Sequence, residues 1–316
     1  MTADHFDGTR FRNPAAADEQ RFSAVPRMLL EPRTRWPPSV DVSTQVPPAL
    51  QNGAGAIVTF IGHATFLIQT PAGNLITDPM YSQRAGPFNL LGPKRVRQPA
   101  VRFEDLPPIS TVLLSHNHYD HCDLPTLGKL ARRFDPAVVT PLGNTGLVRR
   151  AGIRRVEALD WWQQAATRDV AVTLTPARHF SARTPFDRNR ALWCGFVVQA
   201  GAHRLYFAGD TAYAPFFRDI PERLGRIDFA LLPIGAYEPR WFMKAVHMNP
   251  EEAVQAHLDL GGPESIAMHF GTFPLTAEGI DEPVRALKKA RDEKGVSPSR
   301  FRVLDFGEST RLEERP

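Results

Sequence analysis

The segment 115–123 contains three histidines and two aspartates, and it follows a short apolar run that predicts a buried strand. Residues two apart on an extended chain point the same way, so His116 and His118 can bind one metal ion. If the next turn bends back, Asp120 and His121 reach a second ion, on the order of 3.5–4 Å from the first. Neutral imidazole and carboxylate are common zinc ligands, so the segment predicts a pair of metal ions.

Three further residues that can bind metal ions, His179, Asp210 and His269, each follow another short apolar run. Strand ends form the sites of α/β folds, so a site made from four strand ends predicts an α/β sandwich with those ends on one rim. The first ion would be bound by His116, His118 and His179, the second by Asp120, His121 and His269, and both by Asp210. Each ion would keep an open position for a shared water or hydroxide, as catalytic metal sites do.

Strands and helices alternate from about residue 57 onward. The apolar runs predict strands at 57–61, 65–68, 75–77, 111–114, 137–140, 155–159, 170–175, 192–199, 204–208, 229–234, 265–268 and 302–304. Helical spacing and capping residues predict helices at 124–134, 250–259 and 283–293, and a short helix or turn at 143–152. His63 and Asp78 flank the first strands and are candidates for orienting metal ligands. The Gly- and Pro-containing segment 81–106 predicts an irregular loop that forms one wall of the site.

The composition is that of an ordinary globular protein, with 316 residues of which 42% are hydrophobic and 23% charged. The 38 basic and 34 acidic residues give a net charge of +4, too weak a bias to predict nucleic-acid binding. Two cysteines exclude a disulfide framework and favour a reducing compartment. No run approaches the roughly 18 apolar residues of a membrane span, so we expect a cytoplasmic protein and leave peripheral membrane contact open.

The first 52 residues differ from the rest because repeated prolines interrupt every longer pattern. They predict an extended arm with one helical turn around 15–21. The arm also contains large apolar residues, which predict that it packs on the rest of the chain: Phe6, Phe11, Phe22, Met28, Leu29 and Trp36. We therefore predict an arm of residues 1–52 that wraps a domain of residues 53–316.

The order of the candidate ligands, H-x-H-x-D-H followed by a later His, Asp and His, resembles that of the metallo-β-lactamase superfamily. Shorter strings resemble, in the same order, the N-acyl-phosphatidylethanolamine-hydrolysing phospholipase D family. They are GHAT at 62–65, LGPKR at 91–95, LSHNHYDH at 114–121, LDWW at 159–162 and PIGAYEPRWFM at 233–243. The resemblance extends from about residue 57 to 309 and is most specific in the last of these strings.

The resemblance implies a four-layer αββα sandwich in which residues 53–316 are a zinc hydrolase domain. It implies a phosphodiesterase that cuts the phosphate–alcohol bond of an N-acyl phosphatidylethanolamine-like lipid, releasing an N-acylethanolamine and phosphatidic acid. Two Zn²⁺ ions, or other divalent metals, would acidify a bridging water and neutralise charge in an in-line displacement, with Asp120 and Asp210 in catalytic positions. The family also has a histidine at the site where this chain has His247, which implies substrate contact or proton transfer. An ordinary core or surface histidine is the alternative.

One position departs from the family, because Val246 stands where a family member has glutamine, so the head-group pocket need not have the same shape. The aromatic runs 215–217 and 241–243 suit an acyl-chain channel or a bilayer surface, although core packing is commoner for such residues. The expected partner is a phosphodiester or lipid-like substrate, and a homodimer is left open.

Two other functions fit the same ligands. Relatives with this ligand set open cyclic esters, so the chain could be a metal-dependent lactonase that acts on a sugar lactone. The set of metal ligands does not determine whether the attacked atom is phosphorus or a carbonyl carbon. The non-hydrolytic alternative is a metal-binding or redox module that uses iron. It predicts no open coordination position and an attached electron-transfer domain, for which this chain leaves no room.

Overall fold

Short apolar strands build two mixed β-sheets, each of seven strands in the described part of the chain. The computed structural model describes residues 5–13, 24–50, 55–167 and 170–312. The first sheet contains β1 (Ala56–Gly62), β2 (Thr65–Thr70), β3 (Gly73–Thr77), β4 (Thr111–Leu113), β5 (Ala137–Pro141), β6 (Arg155–Leu159) and β14 (Ser309–Leu312). The second contains β7 (Gln164–Ala166), β8 (Ala171–Thr175), β9 (Gly195–Ala200), β10 (His203–Phe207), β11 (Phe229–Pro233), β12 (Glu264–Met268) and β13 (Phe301–Arg302).

The two sheets repeat one arrangement of strands. The first has the order β14-β1-β2-β3-β4-β5-β6, with antiparallel pairs up to β3 and parallel pairs from β3 to β6. The second has the order β13-β12-β11-β10-β9-β8-β7, with parallel pairs from β10 to β13 and antiparallel pairs elsewhere. Parallel neighbours bring their carboxyl ends to the same edge, and that edge is where the candidate ligands follow β4, β10 and β12.

The alternation of side chains along β2 shows how the layers form. Phe66 and Ile68 belong to the core that the two sheets share, whereas Leu67 belongs to the core beneath the helices of the first sheet. The helices are α1 (Val25–Leu29), α2 (Leu124–Phe134), α3 (Thr145–Arg150), α4 (Phe216–Leu224), α5 (Arg240–Met243), α6 (Pro250–Asp259) and α7 (Glu282–Lys294). Since α2 and α3 cover the first sheet and α4, α6 and α7 pack on the second, the predicted αββα sandwich is confirmed.

The described parts of the N-terminal arm lie against the sandwich. Phe11 is buried, with 6% of its surface exposed. The backbone N–H of Thr34 donates to Ala277 O at 2.9 Å, and the indole of Trp36 donates to Glu278 O at 2.8 Å. The division into an arm of 1–52 and a domain of 53–316 stays a prediction. None of the helices in the described ranges has the length and apolar character that crossing a bilayer requires.

Several short elements were not predicted from the sequence: α1, α4, α5, β7 and β14. In α4 the reason is Pro221, which stands inside the helix and breaks its pattern. The run 215–217 enters this helix, and Phe217 packs in the core with its ring 6.2 Å from that of Tyr206, so core packing is the correct interpretation of that run. The helical turn predicted at 15–21 lies outside the described residues.

Candidate metal centre

The loop between β4 and α2 turns alternate side chains to opposite sides. His118 and Asp120 line one cavity, while Asn117 and Tyr119 line another. Arg183 fastens the loop on the second side, because its Nη1 donates to the carbonyl oxygen of Asn117 at 2.8 Å and its guanidinium lies 3.8 Å from the Tyr119 ring. The period of two that the sequence suggests for this segment is therefore present in the folded loop.

Three histidine nitrogens form a first cluster. His116 Nε2 lies 2.9 Å from His118 Nδ1, and His118 Nδ1 lies 3.2 Å from His179 Nε2. Nitrogens bound at about 2.0–2.1 Å to one tetrahedral zinc ion lie about 3.3 Å apart, so this spacing fits one metal ion. These are the three histidines that the sequence assigns to the first ion.

A second cluster contains one carboxylate and two imidazoles. Asp120 Oδ2 lies 3.4 Å from both His121 Nε2 and His269 Nε2, and the two nitrogens lie 3.2 Å apart. The main chain helps to place His269, whose backbone N–H donates to His63 O at 2.9 Å. The set of donor atoms, two nitrogens and one carboxylate oxygen, is again one that zinc accepts.

Asp210 lies between the two clusters. Its Oδ2 is 3.1 Å from His121 Nε2 and 3.2 Å from His269 Nε2 on one side. On the other side it is 3.7 Å from His179 Nε2 and 3.9 Å from His116 Nε2. Its Oδ1 is buried and has no hydrogen-bond partner among the described residues. An orphaned carboxylate oxygen at this position fits a bridge between two metal ions, because burying it without a partner is costly.

Asp78 and Ser115 set the direction of two of these imidazoles. Asp78 accepts hydrogen bonds from the N–H and the Oγ of Ser115, and from His121 Nδ1 at 2.7 Å. Because the Ser115 hydroxyl donates to Asp78, it accepts at 2.9 Å from His116 Nδ1. Both Nε2 atoms therefore point into the clusters, where a metal ion would bind them after displacing any proton they carry, which is the arrangement that metal-binding histidines show. A backbone carbonyl orients His179 in the same way.

His63 contacts the second cluster, at the position next to the first strands where the sequence suggests an orienting residue. Its Nε2 lies 3.1 Å from Asp120 Oδ2, and its backbone φ is 58°, which is unusual for a residue other than glycine. Asp120, His121, His269 and His63 together could hold one metal ion by their distances alone. The imidazole of His63 approaches the same oxygen that faces the other two rings, so it also suits an orienting hydrogen bond to that carboxylate.

Burial and nearby charge give the histidines of the two clusters different pKa values. Burial lowers the pKa of His118 to about 3 and that of His179 to about 4. Burial acts in the same direction on His121 and His269, but the Asp210 carboxylate raises the pKa of both, that of His269 to about 9. At neutral pH the first cluster offers neutral nitrogens, whereas the second holds protons that a metal ion has to displace.

His118 of the first cluster, Asp120 and His269 of the second, and Asp210 between them form the floor of a cavity of about 200 Å³. Its wall is mostly apolar and is made by Met28, Phe180, Ala236, Phe242, Met243, Val246 and Leu275. His247 also lines it, with Nε2 4.0 Å from Asp210 Oδ2 and 7% of its surface exposed. The cavity therefore combines an apolar wall with a polar floor whose side chains could bind metal ions.

The structure brings all seven predicted ligands and His247 together at this one site. The sequence interpretation of the loop 81–106 as a wall is wrong for this cavity, since 86–89 line a separate cavity of about 710 Å³ across the ligand loop. Sequence reasoning missed Phe180 and Leu275, which carry no signal beyond being apolar. Met28 had a signal, because it is one of the arm residues expected to pack on the domain.

Comparison with known proteins agrees with this geometry. A family model described as a beta-lactamase superfamily domain matches residues 73–270. N-acyl-phosphatidylethanolamine-hydrolyzing phospholipase D 1 of Caenorhabditis elegans is 36% identical over 276 residues, which are 83% of this chain and 77% of that protein. The mitochondrial enzyme of that name from Saccharomyces cerevisiae is 35% identical over 221 residues, which are 68% of this chain and 47% of the yeast protein. A solved metallo hydrolase of Ignicoccus hospitalis shares the fold, with a TM-score of 0.62 at 22% identity over 82% of this chain and 99% of that one.

Proposed function

This chain belongs to the beta-lactamase superfamily, in the family of the N-acyl-phosphatidylethanolamine-hydrolysing phospholipase D proteins, and we propose on that basis that it is a dinuclear zinc phosphodiesterase. At the coarser level it is a metal-dependent hydrolase of that superfamily. The proposed reaction hydrolyses an N-acyl phosphatidylethanolamine-like lipid at the phosphate–alcohol bond. Its products are an N-acylethanolamine and phosphatidic acid.

The observation that carries the proposal is the division of the cavity between a polar floor and an apolar wall. Asp120, Asp210 and three histidines supply the floor, and seven apolar side chains supply the wall. A substrate that fits this surface has a polar reacting group joined to an apolar chain, because each part then meets groups of its own kind. An N-acylated phospholipid has that composition.

The donor set supports two zinc ions, one held by the first cluster, one by the second, and both by Asp210. Zinc bound in such a site supplies Lewis acidity and lowers the pKa of water, which is the chemistry that hydrolysis needs. Together with a bridging hydroxide, the carboxylates of Asp78, Asp120 and Asp210 would balance the charge of two divalent ions. The loaded site would therefore not repel an anionic phosphodiester.

We assign His247 a substrate contact. Burial holds the pKa of His247 well below its ordinary value, so its imidazole is neutral near pH 7. One of its nitrogens then donates a hydrogen bond and the other accepts one. Its Nε2 lies 4.0 Å from Asp210 Oδ2 and is the nitrogen that we assign to a hydrogen bond with a phosphoryl or leaving-group oxygen, whereas Nδ1 is buried and has no partner among the described residues.

We further propose a cytoplasmic protein that contacts membranes from one side. Both cysteines are free and buried, which supports a reducing compartment. The proposed lipid substrate resides in a bilayer, and Trp241, which is 45% exposed, adjoins Phe242 and Met243 of the cavity wall. Sedimentation with phospholipid vesicles tests the contact, and loss of binding in Trp241→Ala is the expected result.

A substrate panel tests the proposed activity. The purified protein, loaded with zinc, is assayed on an N-acyl phosphatidylethanolamine, a simple phosphodiester, a sugar lactone and a β-lactam. We expect turnover of the N-acyl phospholipid, with an N-acylethanolamine as the product. Turnover of the lactone alone would refute the phosphodiesterase and support the lactonase.

A further inference from the structure

Arg240, the first residue of α5, makes hydrogen bonds in two directions. Its Nη1 donates to the backbone carbonyl of His247 at 3.0 Å. Its Nη2 donates to Glu252 Oε2 at 2.7 Å. The guanidinium therefore spans the connection between α5 and α6, and both of its contacts are to oxygen acceptors in fixed geometry.

The acceptor on the α6 side is held in place by the helix itself. Glu252 Oε2 also accepts from the backbone N–H of Asn249 at 3.0 Å, while Asn249 Oδ1 accepts from the backbone N–H of Glu252 at 2.8 Å. This reciprocal pair is a capping box, which fixes the first turn of the helix. The Nη2 of Arg240 is thus bonded to the fixed first turn of α6, while its Nη1 bonds the backbone of the α5–α6 connection. Arg240 therefore fixes the position of the connection relative to the start of α6.

The connection carries two groups of the candidate metal centre. The backbone carbonyl of Val246 accepts from His179 Nδ1 at 2.9 Å, which directs His179 Nε2 toward the first cluster. The next residue, His247, places its Nε2 4.0 Å from Asp210 Oδ2. A shift of this segment would therefore move the hydrogen bond that orients a ligand and the imidazole that faces the substrate.

We propose that Arg240 is a positioning residue that acts through the backbone of the α5–α6 connection on both His179 and His247. The inference rests on the proposed metal centre and deepens it. Lysine cannot replace Arg240 in this role, because one ammonium group lacks the planar fork that reaches two acceptors on opposite sides. Loss of such an outer hydrogen bond costs on the order of 10- to 100-fold in metal affinity or activity.

Metal affinity is the first readout. Co²⁺ is titrated against a chelator into wild type, Arg240→Gln, Arg240→Lys and Lys244→Ala, and its visible spectrum reports the ligands. Lys244 is an exposed residue of the same connection, so its substitution is the matched control. We expect one of two ions to bind about 10- to 100-fold more weakly in both Arg240 variants, with the other ion and Lys244→Ala unchanged. If each of the two ions bound to both Arg240 variants as tightly as to wild type and to Lys244→Ala, the proposal would be overturned.

A double-mutant cycle is the second readout. Hydrolysis of bis(4-nitrophenyl) phosphate is measured for Arg240→Gln, His247→Asn and the double variant. At zinc concentrations that saturate both metal sites of every variant, the effect through His179 is removed, so if Arg240 also acts through His247 the double variant has a kcat no lower than that of His247→Asn. Independent, multiplicative losses would instead show a merely structural role. Thermal unfolding of each metal-free variant identifies any that fails to fold, and Arg240→Lys then replaces Arg240→Gln.

The two readouts separate this inference from the proposed function. A wild type that binds two ions but cleaves no phosphodiester refutes the proposed activity and leaves the chelator competition to decide the role of Arg240. A wild type that binds no metal ion refutes both.

Discussion

Asp210 contacts both clusters through one oxygen, and its charge organises the protonation around it. Its carboxylate raises the pKa of His121 and His269 on one side, while its Oδ2 stays within 4 Å of His116 and His179 on the other. A two-metal site would therefore depend on this carboxylate more than on any single imidazole. The two ions would have no shared ligand without it.

The substitution Asp210→Asn keeps the volume of the side chain but removes its charge. We expect the variant to bind fewer than two zinc ions per chain and to lose activity by on the order of 100-fold or more, because a shared ligand serves both ions. Elemental analysis and turnover measure the two effects. Asp292→Asn, an exposed aspartate of α7, is the control and should retain both properties. Two tightly bound ions in Asp210→Asn would contradict a bridging role.

The different protonation of the clusters predicts a pH dependence of metal binding. His118 and His179, with pKa values of about 3 and about 4, are already neutral above pH 5. His269, with a pKa of about 9, is protonated at pH 7, so a metal ion must displace its proton and binds more tightly as the pH rises toward 9. Calorimetry in two buffers of different ionisation heat counts released protons. The first ion should release almost none and the second about one or two; equal release by both would contradict the assignment.

At the scale of elements, two loops that follow neighbouring parallel strands must approach closely to complete the second cluster. Gly235 follows β11, and a Cβ atom added to it would lie 2.0 Å from the carbonyl oxygen of His269, which follows β12. No side chain fits in that space unless the backbone moves. The packing of these two loops is therefore part of what places His269 beside His121.

The substitution Gly235→Ala tests that packing. We expect it to reduce the free energy of unfolding by about 1–3 kcal/mol, because the new methyl group overpacks the loop, and to weaken zinc binding by displacing His269. Urea unfolding and chelator competition measure the two effects. Gly146→Ala in α3 is the matched control, since a Cβ there meets no atom within 4 Å and Ala favours a helix. If Gly235→Ala were as stable as Gly146→Ala, the close approach would be refuted.

The elements differ in how far the sequence determines them. The ends of α2 agree with its sequence pattern because its apolar residues have a clear helical period, although the Asp123 carboxylate at its N-cap position makes no capping hydrogen bond. By contrast, β14 pairs with β1 through contacts between residues far apart in the chain. That the seven predicted ligands lie close together was predictable, because each of them belongs to a segment that follows a strand. The placement of Met28 in the cavity wall was not, because it depends on how α1 docks on α5, where Arg27 lies 4.4 Å from the Trp241 ring.

At the scale of the whole molecule, the two sheets repeat one topology and bring their strand ends to a common edge. That edge holds the polar floor, and the apolar wall comes from four parts of the chain: α1, the loop that carries Phe180, the segment from Ala236 to Val246, and the loop that carries Leu275. Val246 contributes to both the wall and the candidate metal centre, since its side chain lines the wall while its carbonyl orients His179. In the proposed enzyme, one segment would therefore influence both substrate choice and metal binding.

The central claim is that two zinc ions together hydrolyse a phosphodiester of N-acyl phosphatidylethanolamine type. The most direct measurement adds zinc stepwise to the metal-free protein and records the N-acylethanolamine released from that lipid in mixed micelles. We expect activity to stay low at one ion per chain and to reach its maximum at about two, the number of clusters in a two-metal site. Full activity at one ion, or release of N-acylethanolamine without any metal, would contradict it.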